Sequence, residues 1–133
     1  MDMPVELKIL AWGAVLLVVY IVVATQAKNM QYGAKWNIGA RDEALAPPNP
    51  VTGRLIRAQA NFLETFPIAI VALLGVVLAS KTSHMTALGG WIWLGARVVY
   101  LPLYAMGVPV VRTICWGVSI AGLAIVISPL LAS

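Results

Sequence analysis

Arg57, Asn61 and Glu64 stand at i, i+4 and i+7 in an otherwise apolar chain. That spacing stacks them on one face of an α-helix within about 10 Å of axial rise. Arg54 extends the stripe by one turn and Gln59 lies on its flank. Arg97, Tyr100 and Tyr104, at i, i+3 and i+7, make a second polar stripe, and Arg112 followed by the hydroxyl of Thr113 opens a later segment. Arg57, Arg97 and Arg112 face a single carboxylate, Glu64. The excess positive charge suits an anionic ligand, because guanidinium groups grip carboxylates with paired, charge-assisted hydrogen bonds. The competing reading is that Arg57, Asn61 and Glu64 serve only as interhelical glue, holding helices or subunits in register. Pro67 removes a helical hydrogen bond and frees the carbonyl of Leu63, so a bend is expected just past Glu64.

The elements that must position these residues are membrane spans. Of 133 residues, 61% are hydrophobic and 11% charged, with a mean hydropathy of +0.89, which excludes an ordinary soluble core. Four spans of about 20 residues each, plus connections, use up a chain of this length. The expected fold is therefore an all-α, four-helix transmembrane up-down bundle, a single domain over residues 1–133 with spans at about 5–26, 54–80, 85–104 and 110–131. Residues 27–53 form the one long polar connection, holding Lys28, Lys35, Arg41, Asp42 and Glu43. It ends in Ala46-Pro47-Pro48-Asn49-Pro50, where Asn49 is the expected cap of the second long helix and Pro50 its first turn.

Because the second and third spans run in opposite directions, Asn61 and Arg97 fall at a similar depth, roughly 10 Å inside one boundary, and the two stripes can meet. Lys28, Lys35, Arg41, Arg54 and Arg112 flank the first and third connections, against Lys8 and Lys81 on the other side. The excess places the long connection in the cytoplasm and both termini on the non-cytoplasmic side, in the inner (cell) membrane for a bacterial protein.

Several features point to packing rather than chemistry. Cys115 is alone in an apolar run, so neither a disulfide nor a metal cluster is expected. His84 reads as a solvated loop residue. Trp12, Tyr20, Trp91, Trp93 and Trp116 are candidates for interfacial belts or for plain packing. Ala24-Thr25-Gln26-Ala27 imitates a signal cleavage site, but Asp2 and Glu6 outnumber Lys8 where a signal would be basic, so the first run reads as a span. Nothing in the chain offers a basic, aromatic-interleaved surface for nucleic acid, nor the paired broken helices of a transporter.

The run Arg54-Leu55-Ile56-Arg57-Ala58-Gln59-Ala60-Asn61-Phe62-Leu63-Glu64-Thr65-Phe66-Pro67 closely resembles the signature of the membrane-associated proteins in eicosanoid and glutathione metabolism (MAPEG). Arg97, Tyr100 and Tyr104 resemble that family's third-helix motif, and the likeness in span count, loop order and length covers the whole chain. The resemblance implies a homotrimer in membrane lipid, with glutathione held between neighbouring subunits near the cytoplasmic face. It implies that Arg57, Gln59, Asn61, Glu64, Arg97, Tyr100 and Tyr104 contact glutathione, the arginines suiting its two carboxylates and Glu64 its amine. It further implies that Arg112, within a residue of alignment slack, stabilises the glutathione thiolate.

A cation there is chemically sensible, since a thiol with a pKa of roughly 8.5 is mostly protonated at neutral pH. Thr113 is a second catalytic candidate, able to donate a hydrogen bond to the same sulfur, although a hydroxyl at a helix start often serves the backbone instead. The implied activity is a glutathione-dependent transferase or peroxidase acting on a small lipophilic electrophile. The alternative is a non-catalytic protein that keeps the scaffold and binds a thiol or lipid anion. Thr65 stands where some synthases of the family carry Tyr, Met106-Gly107-Val108-Pro109 shifts Arg112 relative to some relatives, and Asn37-Ile38-Gly39-Ala40-Arg41-Asp42 resembles bacterial members.

Overall fold

The computed structural model describes residues 2–42 and 45–132, so Glu43 of the polar connection lies outside the described residues. Those residues form five helices: α1 (Val5–Tyr32), α2 (Ala34–Ile38), α3 (Pro50–Leu78), α4 (His84–Ala105) and α5 (Pro109–Leu131). Three of them, α1, α3 and α5, are long and apolar enough to cross a membrane. α4 is also long, but Arg97, three glycines and the Trp and Tyr residues dilute its aliphatic content.

The polar connection is more structured than its composition suggests. α1 continues to Tyr32, past residue 26 where the apolar run ends, and one short helix, α2, follows. At about 1.5 Å per residue a helix of this length outreaches the roughly 30 Å hydrocarbon layer, so the last turn or two of α1 stand clear of it. The side chain of Gln31 there donates to Pro47 O (3.0 Å) and accepts from Asn49 N (2.9 Å), while Tyr32 donates to Ala46 O (2.7 Å). α3 then starts as its cap residues dictate: Asn49 accepts from Thr52 N at 2.9 Å and Pro50 occupies the first turn. The helix runs on through Pro67 to Leu78.

Both short turns use the same ending, a left-handed residue that lets two N–H groups return to the last helical carbonyls. After α3 it is Ser80 (φ 57°), whose N–H reaches Val77 O, with Lys81 N reaching Val76 O. After α4 it is Gly107 (φ 73°), whose N–H reaches Tyr104 O, with Val108 N reaching Leu103 O. The bundle thus has a terminus end, with residues 2–6, the α3–α4 turn and the end of α5, and a long-loop end, with residues 33–42, 45–49 and the α4–α5 turn.

The core is aromatic at mid-depth. Tyr20, Phe62 and Trp93 are buried, with ring centroids 4.6 Å (Tyr20 to Phe62) and 6.2 Å (Phe62 to Trp93) apart. This places Tyr20 and Trp93 in packing, while Trp12 and Trp91 are exposed on the apolar surface. α4 and α5 approach closely where Gly89 meets Gly122. A Cβ on either would sit 2.6 Å from the other's carbonyl oxygen, so only hydrogen side chains permit this crossing. Cys115 is half-buried and its thiol donates to Ala96 O at 3.0 Å, a helix-packing contact. His84 is exposed in the first turn of α4.

Candidate functional site

At the long-loop end α3 and α4 bring their polar stripes into contact. Arg97 is fully buried, with 0% of its surface exposed. Its Nη1 donates to Asn61 Oδ1 and its Nη2 to Thr65 Oγ1, both at 2.8 Å. The guanidinium lies 5.4 Å from the Phe62 ring centroid and 5.0 Å from that of Tyr100, and its Nε has no partner among the described residues. One turn toward the loop, Arg57 Nε donates to the Tyr104 hydroxyl at 3.2 Å. Arg54 Nε donates to Ala105 O at 3.0 Å, covering an open carbonyl at the end of α4.

Arg112, at the start of α5, stacks its guanidinium 4.4 Å from the Tyr104 ring centroid. It forms part of the wall of two cavities. The inner one, about 180 Å³, is lined by Asn61, Tyr100, Arg112, Thr113 and Trp116. The outer one, about 220 Å³, is lined by Arg54, Arg57, Tyr104, Gly107, Pro109 and Arg112. Tyr100 and Tyr104, edge to face at 5.4 Å, contribute one to each.

Of the residues singled out from the sequence, Arg57, Asn61, Tyr100, Tyr104, Arg112 and Thr113 line these cavities. Arg97 stands behind the wall. Gln59 is half-buried and Glu64 exposed, and neither lines either cavity. The arginines do not take Glu64 as their partner within the subunit; Arg57 and Arg97 bind the neutral oxygens of Tyr104, Asn61 and Thr65. The hydroxyl of Thr113 donates to Pro109 O at 3.0 Å, one turn back, so its proton serves the backbone and its lone pairs remain for the cavity.

Three participants were not singled out as site residues. Arg54 sits one turn before Arg57 on the same stripe, a signal present in the spacing. Thr65 lies at i+4 from Asn61, which placed it within reach of the same partner. Trp116 gave no signal, because a tryptophan inside an apolar run reads equally as lipid-facing.

A sequence model described as the MAPEG family matches residues 9–131 of the chain. The chain belongs to the MAPEG family. No curated protein matches it at the level of an individual relative. As a MAPEG protein with three helices apolar and long enough to span, it is an integral membrane protein.

Proposed function

We propose that this MAPEG protein is a glutathione-dependent transferase or peroxidase that acts on a lipophilic electrophile. The observation that carries the reading is Arg112, a half-buried cation shared by two polar cavities. The donor set fits glutathione. Arg54, Arg57 and Arg112 around the outer cavity suit carboxylates. The inner cavity combines Arg112 and an amide with the flat face of Trp116, which suits a smaller polar end beside an apolar partner.

When bound, glutathione would supply a thiol whose ionised form is the nucleophile. The chain's own work is to hold and polarise. Arg57 and Arg54 anchor the charged ends, Asn61 orients the group in the inner cavity, and Arg112 stabilises negative charge there. A guanidinium already held in place stabilises such charge better than solvent that must reorganise. Thr113, with its proton on Pro109 O, would act as an acceptor and not as a donor to sulfur.

Completion of the site by a second copy, in a homotrimer, belongs to the same proposal. Glu64 and Arg57 are exposed on a helix that crosses the membrane, and a charge facing lipid costs several kcal/mol unless something covers it. A neighbouring subunit that covers α3 would bring Glu64, and with it Gln59, into a shared site. In the same proposal the long-loop end lies in the cytoplasm and the termini outside, a placement supported by the basic excess beside that end. A monomeric mass in detergent would remove the trimer.

The deciding test of function is glutathione titration of purified protein, followed by thiolate absorbance and conjugation of a generic electrophile. Binding with turnover is expected. Binding without turnover would leave a scaffold that holds a thiol or lipid anion, and no binding would overturn the proposal.

A further inference from the structure

We propose that Arg97 is a positioning residue that never touches the ligand: by occupying the carbonyl oxygen of Asn61, it makes that side chain offer its amino group to an anion in the inner cavity. Only the identity of the anion as glutathione rests on the function proposed above.

A guanidinium donates and cannot accept. The two ends of an asparagine amide are otherwise hard to tell apart, but the atom 2.8 Å from Arg97 Nη1 must be Oδ1. Asn61 also lines the inner cavity, so the part of its amide left to face that cavity is the NH₂ group. Thr65 is fixed by the same logic. It accepts from Arg97 Nη2, so its single proton returns to the backbone, to Asn61 O at 3.1 Å or Phe62 O at 3.3 Å.

Arg97 itself has little freedom. It is 0% exposed, held between the rings of Phe62 and Tyr100, and its own carbonyl accepts from the Tyr20 hydroxyl at 2.6 Å. The inner cavity therefore presents Arg112 and the Asn61 amino group as donors, with a buried cation directly behind. Such a set favours an anion over a neutral or cationic group.

Three variants separate this role from simple packing. Arg97→Lys keeps the charge, on a single donor nitrogen. Arg97→Met removes both. Asn61→Asp still accepts from Arg97, and so keeps the tie between α3 and α4, but it offers the cavity a carboxylate oxygen instead of an amino group. Binding is measured by calorimetry with two probes, glutathione and inorganic sulfate. In protein carrying ¹⁵N-labelled asparagine, the side-chain amide signal of Asn61 is followed during the same titrations.

The Asn61 amide signal is expected to shift and saturate in the wild type. Arg97→Lys should bind within about threefold of wild type, whereas Arg97→Met and Asn61→Asp should bind about tenfold more weakly or worse. Asn61→Asp should melt no lower than wild type, because it converts a cation-to-amide hydrogen bond into an ion pair. Wild-type affinity in Asn61→Asp, or in a folded Arg97→Met, would overturn the proposal. So would an Asn61 amide that responds to neither probe. A response to sulfate alone would leave Arg97's role standing and remove glutathione as the ligand. If Arg97→Met does not fold, Asn61→Asp decides.

Discussion

The two ends of the bundle use the same chemical vocabulary to opposite purpose. At the terminus end, Glu6 is 2% exposed and accepts from Thr86 Oγ1 at 2.6 Å. Thr86 also closes a capping box with Ser83 at the start of α4. Lys81 donates to Pro129 O and Ala132 O, at 3.1 and 3.2 Å, where α5 ends. An acid thus sits at a helix start and a base at a helix end, the arrangement the helix dipole prefers. At the long-loop end Arg54 follows that pattern on Ala105 O and Arg41 follows it on Asn37 O, where α2 ends. Arg57, Arg97 and Arg112 are met by amide, hydroxyl and aromatic groups, none of which neutralises a charge. One network is closed on itself and holds helices. The other is left positive, as the proposed anion site requires.

Arg112→Ala is expected to have the largest effect. Turnover should fall about a hundredfold or more, the cost of one preorganised donor at a developing negative charge. Glutathione affinity should change less and the melting temperature in detergent little. Normal turnover would show that Arg112 is not the group that stabilises charge. Glu6→Ala should do the reverse, lowering stability by about 2 kcal/mol through loss of a buried charged hydrogen bond while glutathione affinity stays within about twofold. A thermal melt and a binding isotherm on the same sample check both halves, and an affinity that drops in step with stability would mean the two ends are coupled.

The two turns allow a finer contrast. Gly107→Ala places a Cβ at positive φ and 3.3 Å from the Arg54 guanidinium, so a loss of about 1 kcal/mol is expected together with weaker glutathione binding. Ser80→Gly, at the matching position of the other turn, should raise stability by up to about 1 kcal/mol and leave binding alone. Melting temperatures that move in the same direction for the two substitutions would count against the shared turn geometry.

The stripes were legible because membrane helices make polar side chains conspicuous. The i, i+4, i+7 spacing of Arg57, Asn61 and Glu64 fixed a face, and opposite helix directions fixed the depth at which Arg97 meets Asn61. Helix spacing fixes depth and face but not the distance from a cavity. Spacing alone thus does not show that Arg97 stands behind the cavity wall, or that within the subunit Arg57 and Arg97 take neutral oxygens instead of Glu64. The extension of α1 to Tyr32 was hidden because Lys28, Asn29 and Gln31 end the apolar pattern without ending the helix; beyond the hydrocarbon layer polarity no longer marks a boundary. The paired cavities depend on where the rings of Tyr104 and Trp116 fall, which periodicity does not encode.

Gln31 carries one more consequence. Its amide meets the backbone on either side of Pro48 as another peptide unit would, giving a proton to Pro47 and taking one from Asn49. With Tyr32 fastened to Ala46, the chain leaves Tyr32 and returns at Ala46 between two anchored points. The free-energy cost of closing such an excursion grows only logarithmically with its length. Insertions there should therefore be absorbed without shifting Arg54 or Arg57, which makes this segment the natural place to graft a tag or a recognition sequence onto the protein.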